Sequence, residues 1–145
     1  MQKVSNKKTI EEQYIQYLTD ESRLVGDSIN TLYFPESTDD VAAVVREVAE
    51  RGESLTISGG RTGIVGGAVP QGSLNLISLE KLGSKIFIGY DGEWFARVAA
   101  GTLIEDLYTY LRNGVYAYLP GVFQAHDEQK LFYPVNPTET TAQVG

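Results

Sequence analysis

The sequence contains no cysteine, which excludes disulfide bonds, a thiol nucleophile and a thiolate metal site. A cysteine-free chain is consistent with a cytoplasmic protein, and we expect this one in the cytoplasm. No run of apolar residues approaches the roughly 20 that a membrane-spanning helix needs. The stretch from Met1 to Lys8 is polar, so a secretory signal is not expected.

Positive charge is also scarce in this chain. Lys and Arg number 12 against 19 Asp and Glu, which gives a formal net charge of −7. Proteins that bind nucleic acids are usually basic, so we exclude DNA and RNA as partners. An anionic ligand would be held by local N–H dipoles, because salt screens distant charges beyond about 8 Å. With 145 residues, 42% of them hydrophobic, the chain has the size and balance of one globular domain.

The most distinctive stretch is rich in glycine and runs from Ser58 to Pro70. Five glycines fall within nine residues, directly after the apolar run 55–57. Such a loop can direct several N–H groups at a phosphate. We favour ligand binding, and the alternative is that the glycines only shape a long turn. For Arg61, we favour a solvated surface residue or a salt-bridge partner over a phosphate clamp.

Two common nucleotide-binding motifs are absent from this stretch. The P-loop requires glycine followed by lysine at the start of a helix, and no glycine here precedes a lysine. The Rossmann spacing of glycines is not found, and Pro70 with Gly72 would break a following helix. The glycine-rich stretch is therefore predicted to connect two strands.

Apolar periodicity predicts three helices. The clearest follows the cap Ser37, carries valines at four helically spaced positions and stops at Gly52. Capping boxes beginning at Thr9 and Thr102 start the other two. The first of these would extend to about Leu24 as a peripheral docking helix, because few of its residues are aliphatic.

The predicted strands indicate the fold class. The strands are expected at residues 30–34, 53–57, 73–77, 85–90 and 93–98. The first two form a βαβ unit around the valine helix, and the last two flank Asp91-Gly92 as a hairpin. We therefore predict an α+β fold: a small βαβ subdomain, then a mixed or antiparallel subdomain with helices. The predicted domains are an N-terminal helical segment at 1–30, the βαβ subdomain with the glycine loop at 31–82 and an incomplete second subdomain at 83–145.

Several stretches resemble one known family. PESTDDV at 35–41, ISGGRTG at 57–63 and GGAVP at 66–70 are similar to the N-terminal half of the FAD-linked oxidases, also called the PCMH or vanillyl-alcohol-oxidase type. YPVNPTETTAQVG at 133–145 resembles the second flavin segment of that family. Within the family, the chain most resembles the flavoprotein subunits of D-lactate dehydrogenase and glycolate oxidase. The resemblance begins at about Leu18, and two separated motifs in the right order make it specific.

This resemblance implies an FAD-binding type-2, PCMH-like domain made of two α+β subdomains with FAD between them. The glycine loop would hold the pyrophosphate, and the later segments would approach the flavin. For the late threonines, the alternative is a turn in which each hydroxyl bonds its own backbone. We interpret Trp94 and the tyrosines as core rather than as a flavin-stacking set. The implied cofactor-binding residues are Ser58, Gly59, Gly60, Arg61, Thr62, Gly63, Gly66, Gly67, Leu119, Pro120, Pro137, Thr138, Thr140, Thr141 and Gly145.

The resemblance also bears on how FAD is attached. Some members of the family bind it covalently through a histidine in the first glycine loop. Arg61 and Thr62 stand at the corresponding places here, so non-covalent FAD is implied. We interpret His126 as a surface residue rather than a covalent or acid–base group. No metal ion is implied.

The function implied by the resemblance is oxidation of a small 2-hydroxy acid, such as lactate or glycolate, by hydride transfer to flavin. In the family, catalytic and substrate-binding residues lie mostly beyond the second flavin segment. We therefore expect an N-terminal fragment that is inactive alone, with its catalytic residues unknown and self-association through an uncovered apolar face. Two alternatives stay open: a stand-alone nucleotide-binding or regulatory module without redox activity, and the FAD subunit of a multi-component hydroxylase.

Overall fold

The computed structural model describes residues 1–83, 85–90 and 93–113. Two sheets and three helices make up this part of an α+β fold. Two short 3₁₀ turns follow α1 and β4, at Ile15–Tyr17 and Leu79–Lys81. The elements are β1 (Gln2–Val4), α1 (Lys7–Gln13), β2 (Thr31–Phe34), α2 (Thr38–Glu50), β3 (Leu55–Ser58), β4 (Asn75–Ser78), β5 (Ile86–Tyr90), β6 (Trp94–Val98) and α3 (Ile104–Asn113).

The main sheet has the strand order β1–β2–β4–β3. Strands β2, β4 and β3 are parallel to one another, and β1 is antiparallel to β2. All residues of β2 and β4 are buried, as expected for central strands that are covered on both faces. The predicted βαβ unit is confirmed, but β2 and β3 are not neighbours because β4 lies between them.

Helix α2 is capped and terminated as the sequence predicts. The Ser37 hydroxyl accepts a 3.1 Å hydrogen bond from the Asp40 N–H, and Gly52 follows the helix with a left-handed φ of +65°. Val44 and Val48 are buried against one face of the main sheet. This packing holds a helix whose valines have only modest helix propensity.

The predicted helix from Thr9 to Leu24 is wrong in its length and in its cap. The chain instead forms the short helix α1, in which the Asn6 side chain accepts a 3.0 Å hydrogen bond from the Thr9 N–H. At Tyr14 the backbone leaves helical geometry, with φ −127° and ψ 23°, and a 3₁₀ turn follows. Helix propensity is a weak preference, and the packing of the residues that follow overrides it.

The N-terminal segment is also not peripheral. Ile10, Tyr17 and Leu18 are buried in a cluster with Leu32 and Leu76 of the central strands. Strand β1, which the sequence did not predict, extends the sheet beside β2. The main sheet therefore carries the N-terminal segment on one face and α2 on the other.

The second sheet is the predicted hairpin. Strand β5 pairs antiparallel with β6 along its whole length, and residues 91–92 of the turn lie outside the described residues. Helix α3 begins at Ile104. The predicted capping box at Thr102 is not found within the described ranges: Leu103 directly precedes the helix, no hydrogen bond joins the Glu105 N–H to the Thr102 hydroxyl, and this hydroxyl donates to the Ala99 carbonyl at 2.7 Å.

A polar network joins α2 to the amino ends of the parallel strands. Arg51, directly after α2, donates hydrogen bonds to Glu47 at 2.6 Å, to Glu53 at 2.9 Å and to Asn75 at 3.2 Å. The Lys3 ammonium of β1 lies 2.6 Å from the same Glu47 carboxylate. Asn75 is fully buried, and its amide donates to Glu53 at 2.9 Å. The network therefore fixes the amino edge of the main sheet.

We expect Glu47→Gln to reduce the acid sensitivity of the fold. Hydrogen bonds from Lys3 and Arg51 lower the pKa of Glu47 from 4.5 to about 2. A group whose pKa is lowered by folding adds stability above its unfolded pKa, and this stability is lost as pH falls towards the folded pKa. Between about pH 4.5 and pH 2, the melting temperature of the wild type should therefore fall more steeply than that of the variant.

Thermal unfolding followed by circular dichroism over this pH range tests the expectation. Glu50→Gln, an exposed change on the same helix, serves as the control and should follow the wild type. If Glu47→Gln also runs parallel to the wild type, the network does not stabilise the fold through Glu47.

Candidate functional site

The glycine-rich stretch forms the first part of the loop that joins β3 to β4. Because these strands are parallel, the loop leaves the carboxyl edge of the main sheet and returns to its amino edge. At the return, the Gly72 N–H donates a 2.8 Å hydrogen bond to the Asp27 carboxylate, and the Asp27 N–H donates to the Pro70 carbonyl at 2.8 Å. Residues 59–67 therefore follow the carboxyl edge, where open sheets of parallel strands bind ligands.

Two buried serines end the strands at this edge. Ser58 is the last residue of β3 and Ser78 the last of β4, and the two are partners in the strand register. Both are fully buried, and neither hydroxyl has a hydrogen-bond partner among the described residues. Ser78 precedes a 3₁₀ turn without capping it. Since a buried, unpaired polar group costs about 1–3 kcal/mol, each hydroxyl needs a partner that the described residues do not supply.

The loop backbone is open to a ligand. Within the described part of the chain, the N–H groups of residues 60–65 have no hydrogen-bond acceptor. Gly66 adopts a φ of +77°, a left-handed conformation that favours glycine. Gly59, Gly60 and Gly66 are half-buried, whereas Thr62, Gly63 and Gly67 are exposed.

Arg61 packs against an aromatic ring of the N-terminal segment. Its guanidinium carbon lies 4.4 Å from the centroid of the Tyr17 ring, which is a cation–π contact. Its Nη1 lies 3.4 Å from the Gly59 carbonyl oxygen. The side chain is half-buried and forms no ion pair with any described residue. Among the described residues, Arg61 therefore lies against Tyr17 and Gly59 rather than fully in solvent, and the predicted salt bridge has no partner there.

Tyr17 is held firmly in the core next to Arg61. Its hydroxyl donates to the two carboxylate oxygens of Glu80, at 2.8 and 2.9 Å. Its ring packs edge-on against Phe34, with ring centroids 5.3 Å apart. Burial, together with the hydrogen bond to Glu80, raises the pKa of Tyr17 to about 12, so the phenol stays neutral. Tyr17 is therefore a fixed surface on which the guanidinium rests.

Asp20 approaches the loop from the same segment. Its Oδ1 accepts a 2.9 Å hydrogen bond from the Ser22 N–H and a second bond from the Ser22 hydroxyl. These bonds, with smaller contributions from the N–H groups of Ala68 and Gly66, lower the pKa of Asp20. Its Oδ2 has no hydrogen-bond partner among the described residues. Sequence reasoning missed Tyr17 and Asp20 as neighbours of the loop, because no local pattern connects such distant residues.

The later half of the predicted site lies outside the described residues, so the proposed roles stay predictions. The site residues that lie outside the described ranges are Leu119, Pro120, Pro137, Thr138, Thr140, Thr141 and Gly145. His126 also lies outside the described ranges.

The described residues form neither a metal-binding cluster nor a membrane-spanning helix. Across residues 1–83, 85–90 and 93–113, no three His, Cys, Asp or Glu side chains are grouped to hold a metal ion. In the same ranges, no helix combines the length and the apolar character needed to cross a bilayer.

The chain matches a protein-family model described as an FAD binding domain, over residues 30–131. The match covers most of the chain. It includes the βαβ unit, the glycine loop and the hairpin.

The chain is also similar to a D-lactate dehydrogenase from Anaerostipes hadrus, with 39% identity over 140 residues. The alignment covers 84% of this chain and 26% of that protein, so the chain spans about a quarter of the relative's length.

Solved structures of flavoenzymes and other oxidoreductases share the fold. Aclacinomycin oxidoreductase superposes with a TM-score of 0.60 at 15% identity. The oxidoreductase of the terminal step of gilvocarcin biosynthesis superposes with a TM-score of 0.56 at 18% identity. A flavoenzyme involved in shunt product recycling in caerulomycin biosynthesis superposes with a TM-score of 0.55 at 24% identity. The alignments cover 77–79% of this chain and 22% of each structure, and they confirm the predicted α+β, PCMH-like fold.

Proposed function

Since the chain belongs to the family of FAD binding domains, we propose that its glycine loop holds the pyrophosphate of FAD and that the protein oxidises a small 2-hydroxy acid. The first part is supported by the geometry of the carboxyl edge. The second is supported by the 39% identity to a D-lactate dehydrogenase, of which the chain spans about a quarter. When bound, FAD supplies the hydride acceptor for such an oxidation.

The observation that carries the proposal is the pair of buried hydroxyls at Ser58 and Ser78, which have no partner among the described residues. A phosphate at this edge would accept hydrogen bonds from the two hydroxyls and from the loop N–H groups. Hydrogen bonds to a charged acceptor are roughly twice as strong as neutral ones. Local dipoles would thus bind an anion in spite of the net charge of −7.

We propose that FAD is bound without a covalent link. The loop carries Arg61 and Thr62 where a histidine would be needed for attachment, and the described ranges contain neither histidine nor cysteine. The loop residues would therefore hold FAD only by hydrogen bonds and by a shape that fits the cofactor.

The remaining parts of the proposal concern residues outside the described ranges. Thr138, Thr140 and Thr141 would line the flavin side of the cofactor, and the catalytic residues would lie in the part of the relative that this chain does not span. We therefore expect the 145-residue chain to bind FAD weakly and to show no turnover. The absence of cysteine supports a cytoplasmic location.

An NMR titration of the isotope-labelled chain with FAD tests the proposal, because amide shifts report even weak binding. The amides of residues 58–67 should shift on saturation. Ser58→Ala should weaken FAD binding about tenfold, since it removes a hydrogen bond to a charged acceptor. Without FAD, the same variant should be at least as stable as the wild type, because it removes a buried unpaired hydroxyl.

Ser54→Ala is the matched control for this experiment. The Ser54 hydroxyl donates to the Gly72 carbonyl at 3.1 Å at the opposite edge of the sheet, so its loss should leave the FAD affinity unchanged. If FAD shifts no amide within residues 58–67, the proposed phosphate site is wrong. If ATP binds as tightly as FAD, the stand-alone nucleotide-binding module becomes the better explanation.

A further inference from the structure

The N-terminal segment contacts Arg61, in the middle of the glycine loop, through Tyr17 and Glu21. We propose that Tyr17 is a positioning residue for FAD: it fixes Arg61 and, through Arg61, the conformation of residues 58–67. The inference rests on the proposed function of that loop. It assigns a role to a residue that lies outside the loop and that would not itself touch the cofactor.

The loop needs an external restraint because its own sequence does not define one conformation. Glycine has the widest choice of backbone angles, so a glycine-rich loop has many competing states. Arg61, in the middle of the loop, adopts a φ of +58°. This left-handed geometry is unfavourable for a residue with a Cβ atom. Whatever holds Arg61 in this geometry therefore selects one state of the loop.

Two contacts from the N-terminal segment hold Arg61. Its guanidinium carbon lies 4.4 Å from the Tyr17 ring centroid, well inside the roughly 6 Å range of cation–π attraction. Its carbonyl oxygen accepts a 3.2 Å hydrogen bond from the Glu21 N–H. Both the side chain and the backbone of Arg61 are thus tied to the same short segment.

Tyr17 can serve as an anchor because it is fixed independently of the loop. It is only 6% exposed, and its ring packs edge-on against Phe34 of β2. Its hydroxyl donates to Glu80, two residues after Ser78 at the end of β4. Tyr17 is therefore held in place by β2 and by the residues that follow β4.

Arg61 could affect FAD binding in two ways that differ in their consequences. As a direct ligand of the phosphate, Arg61 would contribute to FAD affinity whether or not Tyr17 carries an aromatic ring. As a residue that positions the loop, Arg61 would contribute to FAD affinity only while the ring is present. Substitutions of Tyr17 and Arg61, alone and together, therefore distinguish the two roles.

The test uses FAD dissociation constants from the NMR titration of the 145-residue chain. Tyr17→Leu removes the aromatic face and Arg61→Gln removes the charge, and each should weaken FAD binding about fivefold. The double variant should be no weaker than either single variant, because both changes remove the same contact. Tyr17→Phe keeps the ring and should stay within about twofold of the wild type.

Tyr14→Leu is the matched control. Tyr14 belongs to the same aromatic cluster, with its ring centroid 6.0 Å from those of Tyr17 and Phe34, so its loss perturbs the same core. The control should be destabilised as well, but less than Tyr17→Leu, because Tyr14 is only partly buried. It should nevertheless bind FAD as the wild type does, because Arg61 keeps its contact with Tyr17.

Backbone NMR order parameters in the absence of FAD separate this inference from the proposed function, because they report the mobility of amides that form no hydrogen bond. The order parameters within residues 58–67 should be lower in Tyr17→Leu and Arg61→Gln than in the wild type and Tyr14→Leu. If even the wild type fails to bind FAD, the proposed function is wrong, and the order parameters still test the restraint. Wild-type order parameters in Arg61→Gln, which keeps the core intact, would overturn the inference. Losses of FAD affinity that add up in the double variant would overturn the inference as well.

Discussion

Gly101→Ala is expected to lower the free energy of unfolding by about 4 kcal/mol, a large share of the stability of a small domain. Gly101 has a φ of +87°, and a Cβ added there would overlap the carbonyl oxygen of Leu79. Left-handed geometry disfavours alanine by about 1–2 kcal/mol. The overlap adds a further cost, because a backbone atom cannot rotate away as a side chain can.

Gly83→Ala measures the backbone cost alone, so the difference between the two variants gives the steric part. Gly83 has nearly the same φ, +85°, but no heavy atom lies within 4 Å of the position of an added Cβ. Its loss of stability should be about 1 kcal/mol. Urea unfolding followed by circular dichroism measures both variants. Equal losses would mean that the overlap with Leu79 is relieved at no cost, and the prediction would fail.

Gly66→Ala is expected to weaken FAD binding about tenfold, because the left-handed conformation of the loop becomes unfavourable by about 1–2 kcal/mol. Gly66 has a φ of +77°. An added Cβ would lie 2.7 Å from Cδ1 of Leu24, a side chain that can move, so the backbone angle is the dominant cost. Melting temperature should change little, since the loop contributes no residue to the two core clusters.

Gly67→Ala provides the comparison within the same loop. Gly67 does not have a positive φ, and no heavy atom lies within 4 Å of its added Cβ. This variant should bind FAD within about twofold of the wild type. If Gly67→Ala loses as much affinity as Gly66→Ala in the NMR titration, any added side chain obstructs the ligand, and the argument from φ is wrong.

The elements that could be predicted from the sequence are those with local signals. The cap at Ser37, the valine repeat and the stop at Gly52 all lie within one helix, and the structure confirms each of them. The hairpin follows from two β-rich runs around Asp91-Gly92. The family assignment is confirmed by the match to an FAD binding domain over residues 30–131, and it could be predicted because motifs such as ISGGRTG are contiguous in the sequence.

The N-terminal segment shows where local reasoning failed. Tyr14, Tyr17 and Leu18 have helical spacing, yet the helix ends before them. Tyr17 instead packs on Phe34 of β2 and bonds to Glu80, 63 residues away in sequence. Burying these side chains against the sheet contributes more than continuing a helix of modest propensity.

The sequence by itself determined the α+β class, the position of the glycine loop and the membership in an FAD-binding family. Only the tertiary structure decided which residues surround that loop. It placed β4 between β2 and β3, so that Ser58 and Ser78 became neighbours at one edge. It also brought Tyr17 under Arg61. These contacts join residues that are far apart in the chain, so they depend on how the elements pack and have no signature in any local stretch.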